Sequence, residues 1–135
     1  MVELSEAHPP AIKGRSLGLF ILVTVQILIG VIHALFGFWL ISASNTALLS
    51  GLKSEVIYSV YTVLFGLLTM IFASGLWLNR SWGWIGTVAT GAFVSIADTL
   101  TLLNLPSVPG IPKSACLFEI SYSIIVIAYL LRRKK

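Results

Sequence analysis

The stretch Leu17–Ile41 reads LGLFILVTVQILIGVIHALFGFWLI, and His33 is its only ionisable residue. Because a helix needs about 20 apolar residues to cross the hydrocarbon layer of a membrane, this stretch predicts a transmembrane helix. Similar apolar stretches follow at 56–78, 82–103 and 115–131. The composition, with 57% hydrophobic and 10% charged residues, is also far from that of soluble domains. We expect an all-α, polytopic membrane protein, a four-transmembrane-helix bundle that forms a single membrane domain over residues 1–135.

The first span has an alternative interpretation as a signal peptide. Lys13 and Arg15 precede it, and Ser42-Ala43-Ser44 resembles a small-residue cleavage site. A cleavable apolar region runs for only about 7 to 15 residues. Since the stretch 17–41 is longer, we expect it to remain in the mature protein.

The second half of the chain repeats landmarks of the first. Arg15–Gly18 (RSLG) returns 65 positions later as Arg80–Gly83 (RSWG), and the same offset relates His33 to Asp98. The segment 55–60 (EVIYSV) returns as 119–124 (EISYSI), offset by 64. Such periodicity indicates an internal repeat. It predicts two tandem helical hairpins, about 14–78 and 79–135, related by an axis along the membrane normal as parallel repeats are.

The positions of the basic residues predict the orientation. Cytoplasmic loops carry an excess of Lys and Arg, and tryptophans favour the interface. With both termini in the cytoplasm, only Lys53 and Lys113 face outward, and Trp77, Trp82 and Trp84 flank an inner turn. The inner side then holds Lys13, Arg15, Arg80, Arg132, Arg133, Lys134 and Lys135. We therefore expect a multi-pass protein of the cell membrane whose net charge of +4 reflects topology, with membrane lipids rather than nucleic acid as partners.

Small and polar residues within the spans recur on single helix faces. Gln26, Gly30, His33 and Gly37 share one face of the first span, since residues three and four apart lie above one another. Small residues let membrane helices approach closely. The glycines that we expect to pack helices together are Gly30, Gly37, Gly66, Gly83 and Gly91.

The few ionisable residues inside the spans predict a site. A charge at the centre of a span costs at least about 2.5 kcal/mol, so such residues turn toward the protein interior or a wet cavity. Counting along the helices puts His33, Asp98 and Glu119 in the outer part of the membrane. We expect one polar cluster opening toward the outer face, with Gln26 below it. Its predicted members are His33, Asp98, Glu119, Tyr58, Tyr122 and Gln26.

Three interpretations of this cluster stay open. Either carboxylate can pair with His33 and stabilise helix packing, in an accessory subunit or an oligomer-forming bundle without catalytic activity. The groups can instead bind a lipid-like ligand or a proton, as in a proton-linked small-molecule transporter that works as a dimer. Thirdly, His33 and Asp98 can act as acid and base in a lipid-modifying enzyme, although no nucleophile motif accompanies them. The ligand spacing does not point to a metal site, and no cofactor is expected.

The segment Gly75–Trp84, GLWLNRSWGW, resembles the inner hairpin of small prokaryotic, often archaeal, four-helix integral membrane proteins that are uncharacterised, and the layout is distantly similar to that of the DoxX-like group. The resemblance implies four spans and cytoplasmic ends. It also allows a partnership with a larger membrane complex, and it transfers no catalytic residues. Apart from the resemblance, a homo-oligomer is the other assembly that we consider.

Overall fold

The computed structural model describes residues 16–43 and 54–133 of the chain. These residues form four helices: α1, Leu17–Ala43; α2, Ser54–Trp77; α3, Ser81–Leu102; and α4, Lys113–Arg133. All four helices are long and apolar enough to cross a membrane, and no strand occurs in the described parts. The predicted all-helical four-helix fold is confirmed. Each helix begins and ends within two residues of its predicted span.

Consecutive helices lie side by side, in the order α1–α2, α2–α3, α3–α4. Side chains close the ring between α1 and α4, where the Ser16 hydroxyl lies 3.4 Å from that of Tyr129. An apolar core fills the end of the bundle where α1 and α3 begin. Its buried members are Leu19, Val23, Ala73, Leu76, Val126 and Leu130. The polar residues considered below therefore lie toward the other end or near the middle.

Two asparagines end helices in the left-handed conformation. Asn79 follows α2 and Asn104 follows α3, each with φ of 56°. Beyond Asn79, the Arg80 N–H donates to the Gly75 carbonyl at 2.9 Å. This six-residue bond is the mark of a Schellman motif, in which the residue after the helix is usually Gly or Asn. The motif turns the chain from α2 directly into α3.

Large apolar side chains cover the outside of the bundle. Phe20, Ile71, Phe93 and Ile125 are all more than half exposed, one from each helix. Soluble monomers rarely expose contiguous apolar patches of more than a few hundred Å², whereas lipid chains suit such a surface. The exposed apolar face and the four helices together fit a multi-pass membrane protein.

Glycines bring helix backbones together at three places. A Cβ on Gly30 would lie 2.8 Å from the Gly66 carbonyl oxygen, and one on Gly37 would lie 2.9 Å from that of Ser59. Gly83 lies against the backbone of Gly75. Gly91 differs, since the nearest atoms to a Cβ there belong to side chains, Ile127 at 3.3 Å and Ser123 at 3.7 Å. Four of the five predicted packing glycines thus contact a neighbouring backbone closely.

The internal repeat stays a prediction. At the offsets of the repeat, Gly30, Gly37 and Gly66 correspond to Ser95, Leu102 and Leu130. The close glycine contacts between α1 and α2 therefore have no glycine counterparts between α3 and α4. Part of the repeat and five of the basic residues used for orientation lie outside the described residues. These basic residues are Lys13, Arg15, Lys53, Lys134 and Lys135.

Candidate functional site

His33 and Glu119 join the first helix to the last. The His33 Nε2 lies 3.4 Å from the Glu119 Oε1, and the two side chains are 21% and 14% exposed. Of the two carboxylates that were expected as partners, the structure thus places Glu119 against the imidazole. The contact lies across the interface that closes the ring of helices.

The second imidazole nitrogen determines how protons are distributed in this pair. His33 Nδ1 lies 2.9 Å from the Ile29 carbonyl oxygen, which can only accept, so Nδ1 carries a hydrogen. A hydrogen bond between Nε2 and Glu119 then needs one further proton between the two groups. Either an imidazolium donates to the carboxylate or a carboxylic acid donates to the neutral imidazole. A hydrogen bond between His33 and Glu119 therefore requires one proton shared by the two groups.

Aromatic rings from α2 form a wall beside the pair. The Phe65 ring meets that of His33 edge to face, with 5.0 Å between the ring centroids, and Tyr61 stacks on Phe65 at 6.4 Å. These rings fix the plane of the imidazole and shield it from one side. Nothing in the sequence distinguishes these two residues, because aromatic residues in an apolar span resemble lipid-facing residues.

Asp98 lies deeper in the protein than the pair. The residue is fully buried, and neither of its carboxyl oxygens has a hydrogen-bond partner in residues 16–43 and 54–133. The carboxyl lies close enough to Glu119 and to the Cys116 thiol to interact with both, although neither gives a hydrogen bond of ordinary geometry. Buried carboxyl groups are normally hydrogen-bonded or paired, so Asp98 is the exceptional group of the site.

Tyr58 completes the outer part of the site. It lies within electrostatic range of Asp98 and Glu119. We call His33, Asp98, Glu119 and Tyr58 the outer polar cluster. The structure brings these four of the six predicted residues together.

Gln26 and Tyr122 lie apart from the outer polar cluster. Both line a cavity of about 20 Å³ to which all four helices contribute residues, and which we call the central cavity. The Tyr122 hydroxyl has no hydrogen-bond partner among the described groups. Gln26 is seven residues from His33, which places it about 10 Å deeper along α1. The single predicted cluster is therefore two polar sites, one above the other.

The outer polar cluster offers proton-binding groups rather than an evident catalytic arrangement. His33 contacts Glu119, and no hydrogen bond joins it to Asp98 within the part of the chain that the structure describes. The acid and base pair of the enzyme interpretation is thus not directly connected. Within the same residues, no group of three or more His, Cys, Asp and Glu side chains is placed to hold a metal ion.

Comparisons of the chain with protein-family models, with curated proteins and with solved structures give no match. The resemblance to DoxX-like and other small four-helix membrane proteins therefore stays a prediction.

Proposed function

We propose that the chain is a small, non-catalytic integral membrane protein, an accessory subunit or a homo-oligomer, whose outer polar cluster stabilises the packing of the bundle. The observation that carries this proposal is the contact of His33 with Glu119 across the α1–α4 interface. This contact joins α1 to α4 through two ionisable side chains, which would be costly to place against lipid hydrocarbon. A lipid-like headgroup at the exposed edge of His33 is compatible with the same role.

A double-mutant cycle tests the packing role. Removing one member of a buried ion pair is strongly destabilising, whereas replacing both members with apolar residues is often neutral. We expect His33→Leu and Glu119→Leu each to lower the free energy of unfolding in detergent by about 1–3 kcal/mol, because the pair is only partly buried. The double variant should recover most of this loss.

Lys113 and Asn104 provide the control for the cycle. The Lys113 Nζ donates to the Asn104 Oδ1 at 2.6 Å on the exposed surface, where polar pairs contribute little. Lys113→Ala should leave the stability nearly unchanged. Purely additive losses at His33 and Glu119 would contradict a packing role for their contact.

A second function is favoured by Asp98. We propose, as the alternative, a proton-linked small-molecule transporter that works as a dimer, since a buried carboxyl that lies beside a second carboxyl and makes no hydrogen bond of ordinary geometry suits the binding and release of a proton. Intramembrane carboxyl groups of pumps and transporters take this role. Two copies would supply eight helices around a pathway.

Proton flux into vesicles distinguishes the two functions. With purified protein in liposomes, an imposed pH gradient and a pH-sensitive dye inside, the transporter should conduct protons and Asp98→Asn should abolish the flux. Thr99→Val, on the exposed side of α3, serves as the matched control. A wild-type protein that conducts protons no better than protein-free vesicles under such a gradient would leave the packing role as the better supported function.

The cytoplasmic location of both termini is part of the proposal. It is supported by Arg80, Arg132 and Arg133, which lie at the end of the bundle where α2 and α4 finish. The cytoplasmic side of a membrane protein carries an excess of basic residues.

A further inference from the structure

The central cavity lies where all four helices meet. Gln26 comes from α1, Thr69 from α2, Thr87 from α3 and Tyr122 from α4. The remaining lining residues are Phe65, Phe72, Thr90, Gly91, Ser123 and Val126. None of the ten has a charged side chain, so the cavity is polar without being ionic.

Three polar atoms of the lining residues have no hydrogen-bond partner in the described parts of the chain. They are the Gln26 Oε1, the Thr87 Oγ1 and the Tyr122 hydroxyl. Gln26 and Thr87 are each only 4% exposed, so neither can turn to an outside solvent. Leaving one such group without a partner costs about 1–3 kcal/mol in proteins. All three residues line the same cavity, so one small polar occupant can serve as the partner of all three atoms.

We propose that the central cavity is a binding site for water, which joins Gln26, Thr87 and Tyr122 in one hydrogen-bonded group. A buried water needs at least about 10–15 Å³ of accessible space and two to four polar partners, and the cavity has about 20 Å³ and three. The amide oxygen accepts a hydrogen from the water, and the two hydroxyls can donate to it or accept from it. The volume matches one water molecule.

Other occupants fit the site less well. A metal cation prefers carboxylate, imidazole or thiolate ligands, and none of the lining residues supplies one. An apolar molecule would leave the three polar atoms without partners, and cavities that stay dry are lined by apolar groups. Water alone satisfies both the volume and the chemistry of the lining.

Magnetisation transfer from water to protein tests the proposal directly. The full chain, deuterated and back-exchanged in lipid bilayers, is studied by solid-state NMR. We expect rapid transfer from water to Gln26, Thr87 and Tyr122, and none to Val94, which is fully buried and does not line the cavity. Equal transfer to Val94 and to the three cavity residues would overturn the proposal.

Substitutions of the lining residues test whether the water binds in the central cavity. Gln26→Leu combined with Thr87→Val removes two of its three partners, so transfer to Tyr122 should be lost. Thr62→Val is the matched control, since Thr62 is equally buried but donates to the Tyr58 carbonyl at 2.8 Å. In the Thr62→Val variant, magnetisation transfer from water to Tyr122 should persist. If transfer to Tyr122 is the same in the double variant as in the wild type, the site is not the one proposed.

A milder substitution serves if the double variant does not fold. Gly91 lines the cavity, and a Cβ there would meet the flexible end of Ile127 at 3.3 Å and the Ser123 Cβ at an ordinary contact distance of 3.7 Å. Gly91→Ala should therefore fold and leave less room for a water, so that transfer to Gln26 and Tyr122 falls. A folded Gly91→Ala protein with unchanged transfer would contradict a water confined to this cavity.

Discussion

Gly30 and Gly66 lie backbone to backbone where α1 crosses α2. A Cβ on Gly66 would come within 2.5 Å of the Gly30 carbonyl oxygen and 2.7 Å of the Ala34 nitrogen. Both of these are main-chain atoms, so no side chain can rotate away to make room. The two helices can approach this closely only because neither position has a side chain.

Substituting Ala for Gly66 should force α1 and α2 apart. Overpacking of this kind typically costs about 1–3 kcal/mol, which we expect as a loss in the free energy of unfolding measured by denaturation in detergent. Ser74→Ala is the control on the same helix, because Ser74 is exposed and bonds only to the Met70 carbonyl. Equal stability of Gly66→Ala and Ser74→Ala would show that the crossing is looser than its geometry indicates.

Position 79, which is Asn in this chain, should tolerate glycine better than a β-branched residue. Its φ of 56° is left-handed, a conformation that costs about 1–2 kcal/mol for most residues. Asn79→Gly should therefore keep the melting temperature, whereas Asn79→Val should lower it. Thermal unfolding of the two variants measures this difference, and a Val variant as stable as the Gly variant would refute it.

The connection between α3 and α4 should depend on Ser107. The Ser107 hydroxyl donates to the Ala97 carbonyl at 2.7 Å, ten residues back along the chain. Ser107→Ala removes this bond, at a cost of about 1 kcal/mol, and hydrogen exchange should rise at the amides of residues 103–111 other than Pro106 and Pro109, which have no amide hydrogen. Thr101→Val is the comparison, since Thr101 bonds to the same carbonyl from within its own helix. Exchange that rises equally in both variants would contradict a specific tie through Ser107.

The helices could be predicted because membrane insertion depends on the length and hydrophobicity of short stretches, which the chain shows directly. A contact between α1 and α4 could be predicted for the same reason, because His33 and Glu119 are ionisable residues in apolar spans. The sequence could not show which carboxylate contacts His33, because helix periodicity gives a face and a height but no distance between helices.

The division of the predicted cluster into two sites has a similar cause. Tyr122 lies only three residues from Glu119, about 4.5 Å along the helix, so counting residues could not separate them. Thr87 and Gln26 line the same cavity only because the four helices pack around it. Their missing partners, like those of Asp98, become visible only in three dimensions.

Cysteine labelling should establish the orientation. Ser81 and Ser114 are both exposed and lie just inside the first turns of α3 and α4, which are at opposite ends of the bundle. Since Cys116 is buried, the wild-type protein should stay unlabelled by a membrane-impermeant maleimide. In intact cells, or in spheroplasts where an outer barrier exists, we expect Ser114→Cys to react and Ser81→Cys to react only after the membrane is opened. The reverse pattern would place the termini outside and contradict the charge asymmetry on which the proposed orientation depends.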